Sequence, residues 1–336
     1  MKQTVLFFII WAVACLPACR NEIPFDMEEN PPKLILNALI DCDTDRNRIY
    51  LAMTGRDQVS SVDNPLINIL INGELKEQLN DDTRENDASS YLPDMYTWTN
   101  PYTTGVKFSP GDRVKIEASD GNGQRRAWAE DVVPQPVRIE RVDTMTYTKK
   151  IWFGEEYRYL RVKITFTDNP DEKNYYRLAL QSSDTLYGLS HITGKDTVLT
   201  LENYPKPIIN EDFVLTGGRP YLDENDAPLF QPENPFCIFD DTHLNGTYTM
   251  TVSWRMDYYF DYYISEIMRR LGSLTIRLSA ITESQYYYLK AVGLSEYETG
   301  KDFLYQPIPF PSNVQGGTGI LGLSATSEQT LYLTEN

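Results

Sequence analysis

Residues 65–79, PLINILINGELKEQL, hold two apolar-alternating runs on either side of Asn72-Gly73. Alternation at period two sends successive side chains to opposite faces of a strand, and Asn-Gly suits the two left-handed positions of a tight hairpin turn. A chain built from such pieces has to close sheets. KLILNALID (33–41) and RIYLAMTG (48–55) share the texture, as does a strand pair in SPGDRVKIEASDGNGQRRAWAEDVVP (109–134) turned about Asp120-Gly121-Asn122-Gly123. Short strands at this spacing, with no long helix before residue 135, predict an immunoglobulin-like β-sandwich domain over 33–134.

Pro134 and Pro136 mark a hinge, because proline disfavours regular strand pairing. Beyond it, 138–336 reads as a larger β-rich domain with one or two short helices, so the fold class is mainly β. Leu160, Val162, Ile164 and Phe166 alternate along YLRVKITFTD (159–168), and strands follow at YYRLAL, TVLTLEN (197–203) and NGTYTMTVSW (245–254). In YYFDYYISEIMRRLGS (258–273), Phe260, Ile264, Ile267, Met268 and Leu271 fall at helical spacing, which predicts a helix. ESQYYYLKAVGLSEY (283–297) predicts a second, entered through Thr282 or Ser284 as a cap.

The first residues, MKQTVLFFIIWAVACLPACR, pair a basic start at Lys2 with an apolar run over 5–18. The run is too short to cross a bilayer, for which a helix needs about twenty residues, but it suits a signal peptide spanning 1–18. Leu16-Pro17-Ala18-Cys19 resembles a bacterial lipobox, with Cys19 receiving the lipid; Pro17 departs from the usual small residue. Ala12-Val13-Ala14 is a rival cleavage site that would leave a shorter apolar region. After Cys19, residues 19–32 are polar, acidic and proline-containing, and read as a tether. Cys42 and Cys237 then remain, either joined or standing as two separate buried thiols.

The chain carries 31 Lys and Arg against 48 Asp and Glu, a net charge of −17. Such a chain has no electrostatic reason to bind nucleic acid or to lie on anionic lipid, so its hold on a membrane would come from acyl chains. Tyrosine outnumbers phenylalanine, 23 to 13, which favours half-wet strand faces and a binding surface. Tyr96, Trp98 and Tyr102 in YTWTNPY, and the Tyr258–Tyr263 cluster with Tyr258 and Tyr259, are candidate platforms for a sugar, a peptide or a partner protein. Packing on their own domain is the simpler use of the same rings.

No constellation of residues argues for catalysis. Gly317-x-Gly319-x-x-Gly322 has the spacing of a dinucleotide-binding loop, but that loop needs about thirty residues of strand, helix and strand. Too few residues follow Gly322, and Pro307, Pro309 and Pro311 precede it, so the glycines read as a turn before a last hairpin with an edge strand. His191 and His243 lack companions at metal-ligand spacing. Asp41-x-Asp43-x-Asp45 opens like a calcium loop, but Arg46 stands where the turn glycine belongs. Asp240-Asp241 is one acidic pair among many. The reading is noncatalytic, with no cofactor and no metal.

TFTDNPDEKNYYRL, DDTHLNGTY, QYYYLKAV and PFPSNVQGGTGILG, in this order after the lipobox, resemble an uncharacterised family of Bacteroidetes outer-membrane lipoproteins, a domain of unknown function. Its most specific parts are Asn174-Tyr175-Tyr176-Arg177 and Ser312-Asn313-Val314 with the glycines after it. The resemblance implies an outer-membrane protein encoded beside TonB-dependent receptors, hence an accessory role in nutrient uptake with such a receptor as partner. It carries no catalytic residues over to this chain. The acidic residues after Cys19 (Glu22, Asp26, Glu28, Glu29) fit export to the cell surface in preference to the periplasm.

Overall fold

The computed structural model describes residues 31–55, 59–84, 101–150, 156–190, 193–205, 208–217, 234–244, 246–256, 264–298 and 310–335. The protein is mainly β, with 59% of the described residues in strands and 10% in helix. Its first lobe contains β1 (Leu34–Asp41), β2 (Asn47–Met53), β3 (Leu66–Ile71), β4 (Glu74–Leu79), β5 (Tyr102–Thr104), β6 (Arg113–Ser119) and β7 (Arg126–Val132). β8 (Ile139–Lys150), β9 (Glu156–Thr167), β10 (Tyr175–Ser190), β11 (Asp196–Pro205) and β12 (Ile209–Asn210) follow. Then come a short helix α1 (Phe213–Thr216), β13 (Ile238–Asp240), β14 (Thr247–Arg255), β15 (Ile264–Ile281), helix α2 (Glu283–Glu298) and β16 (Thr318–Glu335).

One large sheet runs β11-β10-β15-β16-β1-β2-β5, with β13 also paired to β10. Two four-stranded sheets, β4-β3-β6-β7 and β12-β14-β9-β8, pack against it. The first core joins Leu34, Leu36, Ile49 and Leu51 of the large sheet to Ile67, Ile69, Val114 and Ile116 of the first small sheet. The second joins Leu178, Ile276 and Leu278 to Val162, Ile164, Phe166, Val252 and Trp254. Each core is thus filled by the alternate residues that the apolar patterning marks, and the residues between them stay wet or half-wet. Asn72 and Gly73 turn the β3–β4 hairpin at φ 54° and 84°, the left-handed values its sequence demands. Pro134 and Pro136 lie in the segment that leaves the first core and enters the second.

Three expectations need correction. Residues from Ile264 onward are not helical: β15 is an 18-residue strand paired to β10 on one side and β16 on the other. Register shifts at Tyr187/Gly188 and Leu189/Ser190 interrupt its ladder with β10 near its start, so Ile264, Ile267 and Met268 do not keep a two-residue beat, whereas Leu274, Ile276, Leu278 and Ala280 further on do. Residues 318–335 form no turn with an edge strand. They make β16, an interior strand that pairs parallel with β1 through its first half and antiparallel with β15 through its second. Thr282 does not cap α2 with its hydroxyl, which accepts instead from Leu323 N at 3.2 Å. The helix itself occurs where expected and packs Tyr286 and Leu289 on Tyr175, Ile238 and Ile281. Among the described residues no helix is long and apolar enough to cross a membrane.

Candidate binding cleft

The chain leaves β4 through Asn80, whose Oδ1 accepts from Asp82 N at 2.9 Å while Thr83 Oγ1 accepts from Asn80 N at 3.0 Å. This reciprocal cap fixes a 3-10 turn over Asp81–Thr83. Arg84 then bridges Tyr102 in antiparallel fashion, closing the base of the segment between them. The Tyr102 ring is 1% exposed and belongs to the first core, so it supports the site from beneath and offers no open platform. Its hydroxyl donates to Asp81 Oδ1 at 3.3 Å, and Arg84 sits over its ring at 5.8 Å. Burial pushes the phenol up to about 12, against the pull of Arg84.

Beside this base lies an open cleft of about 470 Å³ lined by Ser61, Val62, Asp63, Asn64, Asp81 and Arg84. Asn64 adopts φ 45°, and Asp63 O accepts from Gly121 N at 3.0 Å, which ties the far wall to the β6–β7 turn. A side chain at Gly121 would meet Asn64 Cβ at 2.9 Å, so the glycine is needed for that close approach. Val62 is buried as the apolar floor. Two carboxylates, a guanidinium, a hydroxyl and an amide over one apolar contact suit a polar ligand held by hydrogen bonds. None of these six residues was singled out in the sequence. Their only signals were the turn formers in SVDNP and NDDT.

The sequence motifs meet elsewhere, as structure. Gly316 through Gly319 are wedged between β1 and β7. A Cβ on Gly316 would lie 2.3 Å from Arg126 O, and one on Gly317 2.5 Å from Leu34 O. At Gly319 it would lie 2.1 Å from Leu36 O, with φ at 117°. Asn313 brackets the same strand, donating to Leu321 O at 2.8 Å and accepting from Leu321 N at 2.9 Å. Gln315 and Trp128 exchange both backbone bonds, so the segment joins the first small sheet just before β16 joins the large one. These glycines permit backbone-to-backbone packing, which accounts for the spacing without a phosphate.

Asn174-Tyr175-Tyr176-Arg177 forms a second node. Tyr176 OH and Asn174 Nδ2 donate to the buried Asp168 Oδ1, while Asp241 accepts from Asn174 N and from Lys173 Nζ. Desolvation raises the Asp168 carboxyl above the ordinary range despite those bonds. Tyr175 OH donates to Glu283 Oε1 at 2.7 Å, and its ring lies 4.9 Å from that of Tyr286. The node thereby ties the β9–β10 turn, β13 and the start of α2 together. Asp240 and Asp241 are engaged by Lys173 at 3.6 and 2.5 Å.

A family model described as Domain of unknown function (DUF4249) matches residues 20–330. The chain belongs to this family. No curated protein matches it. In this DUF4249 chain the match takes in the cleft, the glycine wedge and the tyrosine node alike.

Of the residues singled out in the sequence, Cys19, Tyr96, Trp98, Tyr258, Tyr259 and His191 lie outside the described residues. His243 ends a 3-10 turn with Phe213 edge-on at 5.1 Å. Asp41, Cys42 and Asp43 bring their ligand atoms within 4.8 Å of one another. Asp41 is committed to Arg277 at 2.9 Å, Asp43 accepts from Thr326 N, and Asp45 pairs with Lys107. Both Cys42 and Cys237 are free thiols. Burial raises each to about 12, so neither is an activated nucleophile at neutral pH.

Proposed function

We propose that this DUF4249 chain is a noncatalytic lipoprotein of a Bacteroidetes outer membrane. Lipid on Cys19 anchors it, the folded part faces the cell surface, and it serves a TonB-dependent nutrient transporter by capturing substrate or docking on the barrel. The observation that carries this is the leader: Leu16-Pro17-Ala18-Cys19 closes an apolar run, and the family match begins at residue 20. The polar cleft supports a capture role, because its lining offers several hydrogen-bond partners over an apolar floor. The first lobe, whose small sheet packs on β1 and β2, is read as immunoglobulin-like.

A second reading, an independent surface binder of glycans or peptides, is favoured by the position of the cleft. It sits where the chain enters and leaves the segment that carries Tyr96 and Trp98. Purification of the lipidated protein from its own membranes in mild detergent, with mass spectrometry of what accompanies it, separates the two. A stoichiometric TonB-dependent barrel is the expected result. Recovery of the anchored protein alone removes the transporter role and leaves the independent binder. In that case glycan arrays would show binding that Trp98→Ala abolishes.

A further inference from the structure

β8 is a twelve-residue strand at the rim of the second small sheet, and only β9 pairs with it. Met256 N donates to Arg158 O at 2.8 Å, so even-numbered residues of β9 turn their amides toward β14 and odd-numbered ones toward β8. In the register Tyr147↔Tyr159, the odd residues of β8 receive those bonds. The N–H and C=O groups of Val142, Thr144, Thr146 and Thr148 therefore face outward, and among the described residues they have no partner. Thr144, Met145 and Thr146 are exposed on both faces of the strand, Met145 by 53%.

Natural sheets protect such rims with short strands, bulges, proline or cover. The other rims here follow that rule. β12 has two residues and β5 three, β7 is bridged by Gln315, and the ladders of β4 and β11 are each broken by a register shift. β8 has its one irregularity at Ile139/Arg141 and then runs regularly to Lys150. It lacks proline and presents mostly threonine between an acidic start and a basic end.

We infer that β8 is a self-association edge: two copies of this chain pair β8 against β8, antiparallel, about a two-fold axis at Thr146. The strand is self-complementary in that register. Asp143 falls opposite Lys149 of the second copy, and Met145 opposite Tyr147, each pair occurring twice. Opposite charges and an aromatic beside a flexible apolar chain are favourable cross-strand neighbours. Asp143 already lies 2.9 Å from Arg141 of its own strand, an exposed pair that can share the second cation. The two four-stranded sheets then continue as one sheet through the axis. This inference is independent of the transporter reading.

Sedimentation of the full lipidated chain in density-matched detergent tests it, across concentrations that bracket a micromolar Kd. A dimer is expected. Thr146→Pro removes an outward N–H and leaves the β8–β9 bonds in place, so it should give a monomer with wild-type thermal stability. Asp143→Lys should weaken association at least tenfold, and the double variant Asp143→Lys, Lys149→Asp should recover it. The double variant keeps the test open should Thr146→Pro fail to fold. A wild-type protein monomeric throughout, a dimer untouched by both single variants, or no recovery in the double variant would overturn the inference.

Discussion

The two halves of β16 are one strand under two different constraints. Its first half lies parallel to β1, and Gly319 leaves room for the β1 backbone, as the 2.1 Å from a Gly319 Cβ to Leu36 O indicates, while Gly316 and Gly317 just before it do so for β7 and β1. Its second half lies antiparallel to β15 and packs through side chains, Leu331 and Leu333 toward the second core and Thr330 against Thr275 on the wet face. The parallel half combines close backbone approach at Gly319 with the fully buried Leu321 and Leu323, whereas the antiparallel half rests on partly buried side chains. Substitutions should therefore cost more in the one than in the other.

Gly319→Ala is expected to be the most damaging change, at about 3 kcal/mol or more, because it adds left-handed strain to a clash with main chain that cannot move away. Chemical denaturation measures it, and a loss below about 1 kcal/mol would remove the wedge from the account. Next come two leucines on the same face of the strand. Leu323 is fully buried in the first core, so Leu323→Ala should cost about 2–5 kcal/mol. Leu331 is only partly buried, so Leu331→Ala should cost clearly less in the same assay. Equal losses would mean that the two halves are packed alike.

The tyrosine node sharpens the comparison through pH. Asp168 has a folded pKa above its ordinary 3.8, raised chiefly by desolvation, so the folded state holds that proton more tightly than the unfolded state does. Its contribution is fully present below 3.8 and is lost as pH rises through the folded value. Asp168→Asn should therefore flatten the fall in stability over that window, and an unchanged pH slope would show that Asp168 does not carry it. The smallest effect belongs to the wet face of β16, where Thr330→Ala removes an exposed hydroxyl pair and should shift stability by about 0.5 kcal/mol or less.

Where pattern and burial coincide, the chain was easy to read. The hairpin at Asn72-Gly73, the alternation of Leu160 to Phe166 and the helix over 283–297 all follow from local chemistry. The strand at Ile264 was not legible, because bulged pairing breaks the beat that marks a strand. The aromatic loop was legible only as composition. Tyr102 looked like one ring of a platform, yet it is a core residue whose hydroxyl braces the cleft wall. The cleft residues gave no signal beyond turn formers, since a cleft is made by elements that meet in space.

The sequence by itself determined a mainly β protein and its hairpins, because strand alternation and turn chemistry are local properties. It also marked Gly317, Gly319 and Gly322 as turn formers, since Pro307, Pro309 and Pro311 just before them disfavour the buried strand that a dinucleotide loop needs. Only the tertiary structure decided what those glycines do instead. Leu36 and Gly319 are register partners from opposite ends of the chain, and the van der Waals limit between their backbones exists only after the first and last strands have paired.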